Sequence, residues 1–106
     1  MESPRVAVRP EKDGTRVVVC SGEFDLDTVG ALAAACDQEA ADARLLVLDV
    51  SRVAFADSTF LNVLIRLRNS RPTVLVGPLP NQLHRLLDVT GALSLFEVRD
   101  SSASAG

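Results

Sequence analysis

The sequence predicts an α/β domain in which a mixed β-sheet carries helices packed on it, in the order β-β-α-β-α-β-α-β. Three observations lead there. Residues 5–10, RVAVRP, alternate polar and apolar and pass through KDGT into the apolar run RVVVC, the pattern of two strands joined at an Asp-Gly turn. Beyond that hairpin, short apolar runs of strand length alternate with longer segments whose apolar residues repeat at helical spacing. The chain, at 106 residues, is long enough for one core and too short for two.

The elements follow in order. After SGEF, Asp25 and Asp27 are placed to cap a helix of about a dozen residues in which Val29, Leu32, Ala33 and Cys36 share one face. Its alanines keep that face narrow enough to lie close on a sheet. RLLVLDV, residues 44–50, is almost wholly apolar, which predicts a central strand covered on both faces. In the helix that follows, Leu61, Leu64 and Ile65 repeat at i, i+3, i+4, and Phe60, Val63 and Leu67 widen the apolar side until NSRPT ends it. TVLVG is the next strand. In LPNQLHRLLDVTG, Pro80 stands near a helix start, Leu83, Leu86 and Leu87 keep helical spacing, and Gly91 is placed to stop the helix. LSLFEVRD closes as a short strand, and SSASAG, residues 101–106, is expected as a flexible tail. The domain thus spans residues 1–106 with its core at about 5–98, without an internal repeat or a linker.

Composition excludes several functions. A hydrophobic share of 47% with 24% charged residues is that of an ordinary globular protein, and a net charge of −3 argues against nucleic acid, whose phosphates require clustered Lys and Arg. Arg66, Arg68 and Arg71 have no interleaved aromatic residues and read as a solvated helix face. No apolar run reaches the roughly 18 to 20 residues of a membrane span, and the N-terminus lacks an export pattern, so a cytoplasmic location is expected. Cys20 and Cys36 have no metal or redox spacing and read as small core residues. His84, the only histidine, falls mid-helix, so a serine-dependent hydrolase would have to recruit it from there. There is no G-x-S-x-G elbow, no Gly-rich phosphate loop and no metal-ligand cluster, so neither an enzyme nor a cofactor is expected.

Asp57-Ser58-Thr59 remains, at the junction of an apolar strand and an apolar helix. Either Asp57 or Ser58 caps the helix, a contribution of about 0.5–2 kcal/mol, or Ser58 is an exposed hydroxyl that a kinase modifies. Spacing leaves both readings open.

LLVLDVSRVAFADSTFLNVLIRLRN, residues 45–69, resembles the signature of the STAS domain family, in particular the anti-sigma-factor antagonists of bacteria. That signature runs from an apolar strand ending in Asp-x-Ser to Asp-Ser-Ser/Thr-Gly-Leu and an apolar helix. SGEFDLDT resembles the family's Gly-Glu-x-Asp, and LHRLLDVTGALSLFEV resembles its third helix and closing strand. The match covers roughly residues 5–98 in order. The resemblance implies a protein that, unphosphorylated, binds an anti-sigma factor, a serine kinase of the GHKL ATPase type, and so regulates sigma-factor-dependent transcription. Phosphorylation at Ser58, with Thr59 as the alternative acceptor, would end the binding, and a phosphatase would restore it. Glu23, Asp25, Asp57, Ser58, Thr59, Phe60 and Asn62 are the contact surface so implied. Phe60 stands where the family carries Gly. It either turns inward as core or anchors a different partner, which keeps open the alternative of a non-phosphorylated STAS subunit in a transporter or signalling assembly. The family's final helix is expected to be missing.

Overall fold

A computed structural model describes residues 3–39 and 41–100. Alternation in RVAVRP leaves Arg5, Ala7 and Arg9 exposed and Val6 and Val8 half-buried against the core, which forms strand β1 (Arg5–Pro10). The chain reverses through a 3-10 turn at Lys12–Gly14, where Asp13 and Gly14 take the left-handed φ values of 63° and 78° that these residue types tolerate. Strand β2 (Thr15–Phe24) returns antiparallel, with Val18 opposite Val8. There follow α1 (Gly30–Glu39), β3 (Leu45–Ala56), α2 (Ser58–Ser70), β4 (Thr73–Gly77), α3 (Asn81–Val89), a 3-10 turn at Ala92–Leu95 and β5 (Glu97–Asp100). The residues of SSASAG lie outside the described residues.

The sheet is mixed, as the element order predicts; its strand order is β1-β2-β3-β4-β5, antiparallel between β1 and β2 and parallel thereafter. Parallel neighbours joined in sequence need crossovers of one hand, so all the connecting helices pass over one face of the sheet. On that face Val18, Cys20, Leu46, Leu48, Val50 and Leu75 meet Leu32 and Cys36 of α1, Phe60, Leu64 and Leu67 of α2, and Leu83 and Leu87 of α3, all buried in one cluster. Burial pushes the Cys36 thiol up to about 11 and the Cys20 thiol higher still, so both are inert core residues at neutral pH.

Three expectations need correction. Helix α1 begins at Gly30, and Asp25 and Asp27 lie in the turn before it instead of capping it. Strand β3 does not end at Val50 but runs on to Ala56, staying paired because β2 bulges at Val19/Ser21 and again at Gly22/Glu23. Gly22 allows this: its φ is 91°, and a Cβ there would lie 2.3 Å from the Ser3 carbonyl oxygen. Finally, β3 is covered on one face only. Leu45, Val47 and Asp49 point away from the helices, half exposed, with no element over them among the described residues. An apolar run reports that both faces avoid water, not what shields them.

Candidate functional site

The C-terminal ends of β2 and β3 lie side by side, with Phe24 opposite Ala56. Each strand hands over to a polar turn. After β3, Asp57 takes an extended conformation and acts as the N-cap of α2. Its Oδ1 accepts from the Thr59 N–H at 2.9 Å and from the Thr59 hydroxyl. Burial raises the Asp57 pKa, but the hydrogen bonds from the Thr59 hydroxyl and N–H, with those of the Phe60 and Leu26 N–H groups, outweigh it and hold the carboxyl below its ordinary value. Ser58 is therefore not the cap. It is the first helical residue, exposed, and its hydroxyl makes no hydrogen bond among the described residues.

After β2, Asp25 organises the adjoining turn. Its Oδ1 accepts from the N–H groups of Asp27 and Thr28 at 3.0 and 3.1 Å, and the Thr28 hydroxyl lies 3.0 Å from it and 3.2 Å from the Glu23 carbonyl oxygen. The two turns are joined where the Asp57 N–H donates to the Phe24 carbonyl at 3.3 Å and the Leu26 N–H reaches the Asp57 carboxylate. Glu23, Asp25, Asp57, Ser58 and Thr59 are thus brought to one end of the sheet, with Asn62 exposed one turn into α2.

Phe60 does not belong with them. It is 0% exposed, and its ring centroid lies 5.1 Å from that of Phe24 at an interplanar angle of 39°. Three residues past the cap, its side chain faces the sheet, so Phe60 is core and leaves the contact surface.

Sequence reasoning missed three residues here. Gln82, in the first turn of α3, donates from Nε2 to the Ala56 carbonyl at 2.7 Å and accepts the Ala56 N–H at 2.9 Å, clamping the residue before Asp57. Leu26, 75% exposed, and Phe55, 41% exposed, are large apolar side chains at the ends of the two strands. An exposed-looking Gln gives no periodic signal, and Phe55 fell in what read as a loop. A leucine between two aspartates was the one available hint. Among the described residues no His, Cys, Asp and Glu side chains group to hold a metal ion, and His84 is exposed on α3.

A five-stranded mixed sheet with its helices on one face and an Asp-Ser pair opening the second helix defines the class: an α/β domain of SpoIIAA-like fold. The profile of the family described as "Mlab, STAS domain" matches residues 8–97, and the chain belongs to the STAS domain family. Among solved structures, an anti-sigma factor antagonist from Mycobacterium paratuberculosis is similar at 29% identity and a TM-score of 0.82, over 92% of this chain and 86% of that one. The anti-sigma factor antagonist SpoIIAA in its unphosphorylated form shares the fold at 17% identity and a TM-score of 0.75, over 95% of this chain and 93% of that one. The Bacillus cell fate determinant SpoIIAA in its phosphorylated form does so at 16% identity and 0.65, over 95% and 96%. No curated protein matches the sequence.

Proposed function

We propose that this STAS domain is an anti-sigma-factor antagonist that binds an anti-sigma factor with serine-kinase activity and is released when that kinase phosphorylates Ser58. One observation carries the reading: Asp57 supplies the helix cap, so the Ser58 hydroxyl is exposed and committed to no hydrogen bond among the described residues. Thr59, whose hydroxyl is engaged by Asp57, is the poorer acceptor. The likeness to the Mycobacterium antagonist supports the same reading. The domain is then a kinase substrate and a phosphatase substrate, not an enzyme.

The switch follows from charge. Phosphate adds about −1.5 to −2 charges at the N-terminus of α2, where the helix dipole favours an anion, so the fold persists. The same dianion stands beside Asp57 and close to the Asp25 turn. A partner surface fitted to a neutral hydroxyl would meet it uncompensated. Like charge brought across an interface costs several kcal/mol, and each 1.4 kcal/mol is about tenfold in affinity.

With Phe60 buried, the partner meets no bulky side chain at the position of the family's Gly, and the main support for a switchless subunit falls away. The test incubates the protein and Ser58→Ala with ATP and each GHKL-type anti-sigma factor of the source genome, then maps phosphate by mass spectrometry. Modification of Ser58 that ends complex formation is expected. If no kinase places phosphate on Ser58 or Thr59, and Ser58→Asp keeps the same partner as the unmodified protein, the switch is lost and a constitutive complex takes its place.

A further inference from the structure

Parallel strands are ordinarily shielded on both faces, yet β2 and β3 present one face half-exposed, without a cover among the described residues, and on β4 Val76 is half-exposed while Val74 is buried. That face holds a shallow cavity of about 680 Å³ whose floor includes Val17, Leu45, Val47 and Val76, with Arg9 toward one side and Arg99 toward the other. The pairing register arranges its charge. One row across the sheet reads Arg9, Val17, Val47, Val74, Glu97, from β1 to β5. A cation and an anion therefore end a row of three valines. At about 4.8 Å between strands the two ends are about 19 Å apart, too far for one small ligand to reach both.

We propose that this face docks a second copy of the same chain, sheet against sheet. A twofold axis parallel to the strands and passing over β3 reverses the strand order of the partner. The row then lies on its own reverse, so that Arg9 meets Glu97 of the second copy, Val17 meets Val74, and Val47 meets Val47. Both salt bridges form at once, and the half-exposed Val17 and Val47 between them leave water, Val74 being already buried. Arg9 makes no hydrogen bond or ion pair among the described residues, and Glu97 spends only Oε2, on Arg99 at 2.5 Å. Arg99 itself comes over Ala7 in the second row, which runs Ala7, Val19, Asp49, Val76, Arg99, so no like charge opposes it.

Asp49 is the one repulsive element, since it meets its own copy on the axis. Its carboxylate is held toward Ser51, accepting from the N–H at 3.0 Å and from the hydroxyl at 2.7 Å. A face five strands wide buries on the order of 1,000 Å² between two copies, the low end for specific contacts, so the dimer is weak and depends on concentration. Its surface is separate from Ser58, which opens α2 at the end of β3, and the inference stands whether or not Ser58 is a switch.

The experiment is sedimentation equilibrium of the purified protein over about three decades of concentration reaching the millimolar range. A monomer–dimer equilibrium is expected. Arg9→Glu and Glu97→Arg should each weaken it by about tenfold or more, and the double variant should return it to within about threefold of the original, because reversal restores the pair. Asp49→Asn should tighten it. All three substituted positions are on the solvent side of the sheet, and unchanged circular dichroism and melting temperature at low concentration check the fold. A protein that stays monomeric at millimolar concentration overturns the proposal and leaves the face to a different macromolecule. A dimer that ignores the single reversals, or that the double reversal does not rescue, assigns dimerisation to another surface.

Discussion

At Asp57 one carboxylate accepts from the Thr59 N–H and from the Thr59 hydroxyl, and this engagement leaves the neighbouring Ser58 hydroxyl open to chemistry. In the proposed switch, capping and modification fall to adjacent residues, because one side chain cannot both hold the helix end and enter a kinase site. The capping contribution carries its own pH signature. The Asp57 pKa in the fold lies below the 3.8 of the free side chain, so folding favours the ionised form. The stabilisation is complete above the unfolded value and declines as pH falls through the folded one. Asp57→Asn retains a capping oxygen but cannot titrate. The difference in unfolding free energy between the two proteins, measured by denaturant titration from about pH 6 to about pH 2, should therefore shrink on acidification. A constant difference would mean that the charge is immaterial to the cap.

Elements matter to the site through one clamp. Gln82 of α3 takes both the N–H and the carbonyl of Ala56 at the end of β3, in place of a further ladder partner. Gln82→Ala removes that partner, at a cost of about 1–2 kcal/mol, and the loss should be local. Amide hydrogen exchange should accelerate in residues 55–58 while Leu46 and Leu48 keep their protection; uniform acceleration would show that the clamp supports the whole fold instead. Neither this clamp nor the extension of β3 was legible in the sequence. Ser51, Arg52 and Ala54 break the apolar run, and the bulges that keep it paired belong to β2. The periodic elements were legible, because Leu61, Leu64 and Leu83, Leu87 repeat at a spacing only a helix turns to one side. At the site, the Asp-Ser pair could be read, but that Asp57 caps is settled by its bond from the Thr59 N–H, and that Phe60 turns inward by its packing against Phe24.

For the molecule as a whole, the decisive property is that its core lies on one side of the sheet. A single buried cluster joins residues of β2, β3 and β4 to those of all three described helices, so unfolding should be one cooperative transition with equal calorimetric and van't Hoff enthalpies. Neighbours along β3 then report the two faces separately. Leu48 is 0% exposed and aligned with Val18 and Leu75, so Leu48→Ala leaves a cavity costing about 2–5 kcal/mol. In a domain of this size that lowers the melting temperature by at least about 8 °C. Val47 points to the open face and is half exposed. Val47→Thr, measured at concentrations too low for self-association, should cost less than about 1 kcal/mol. If the two substitutions cost the same in dilute solution, the open face is covered within the monomer, and the vacancy that invites a second copy does not exist.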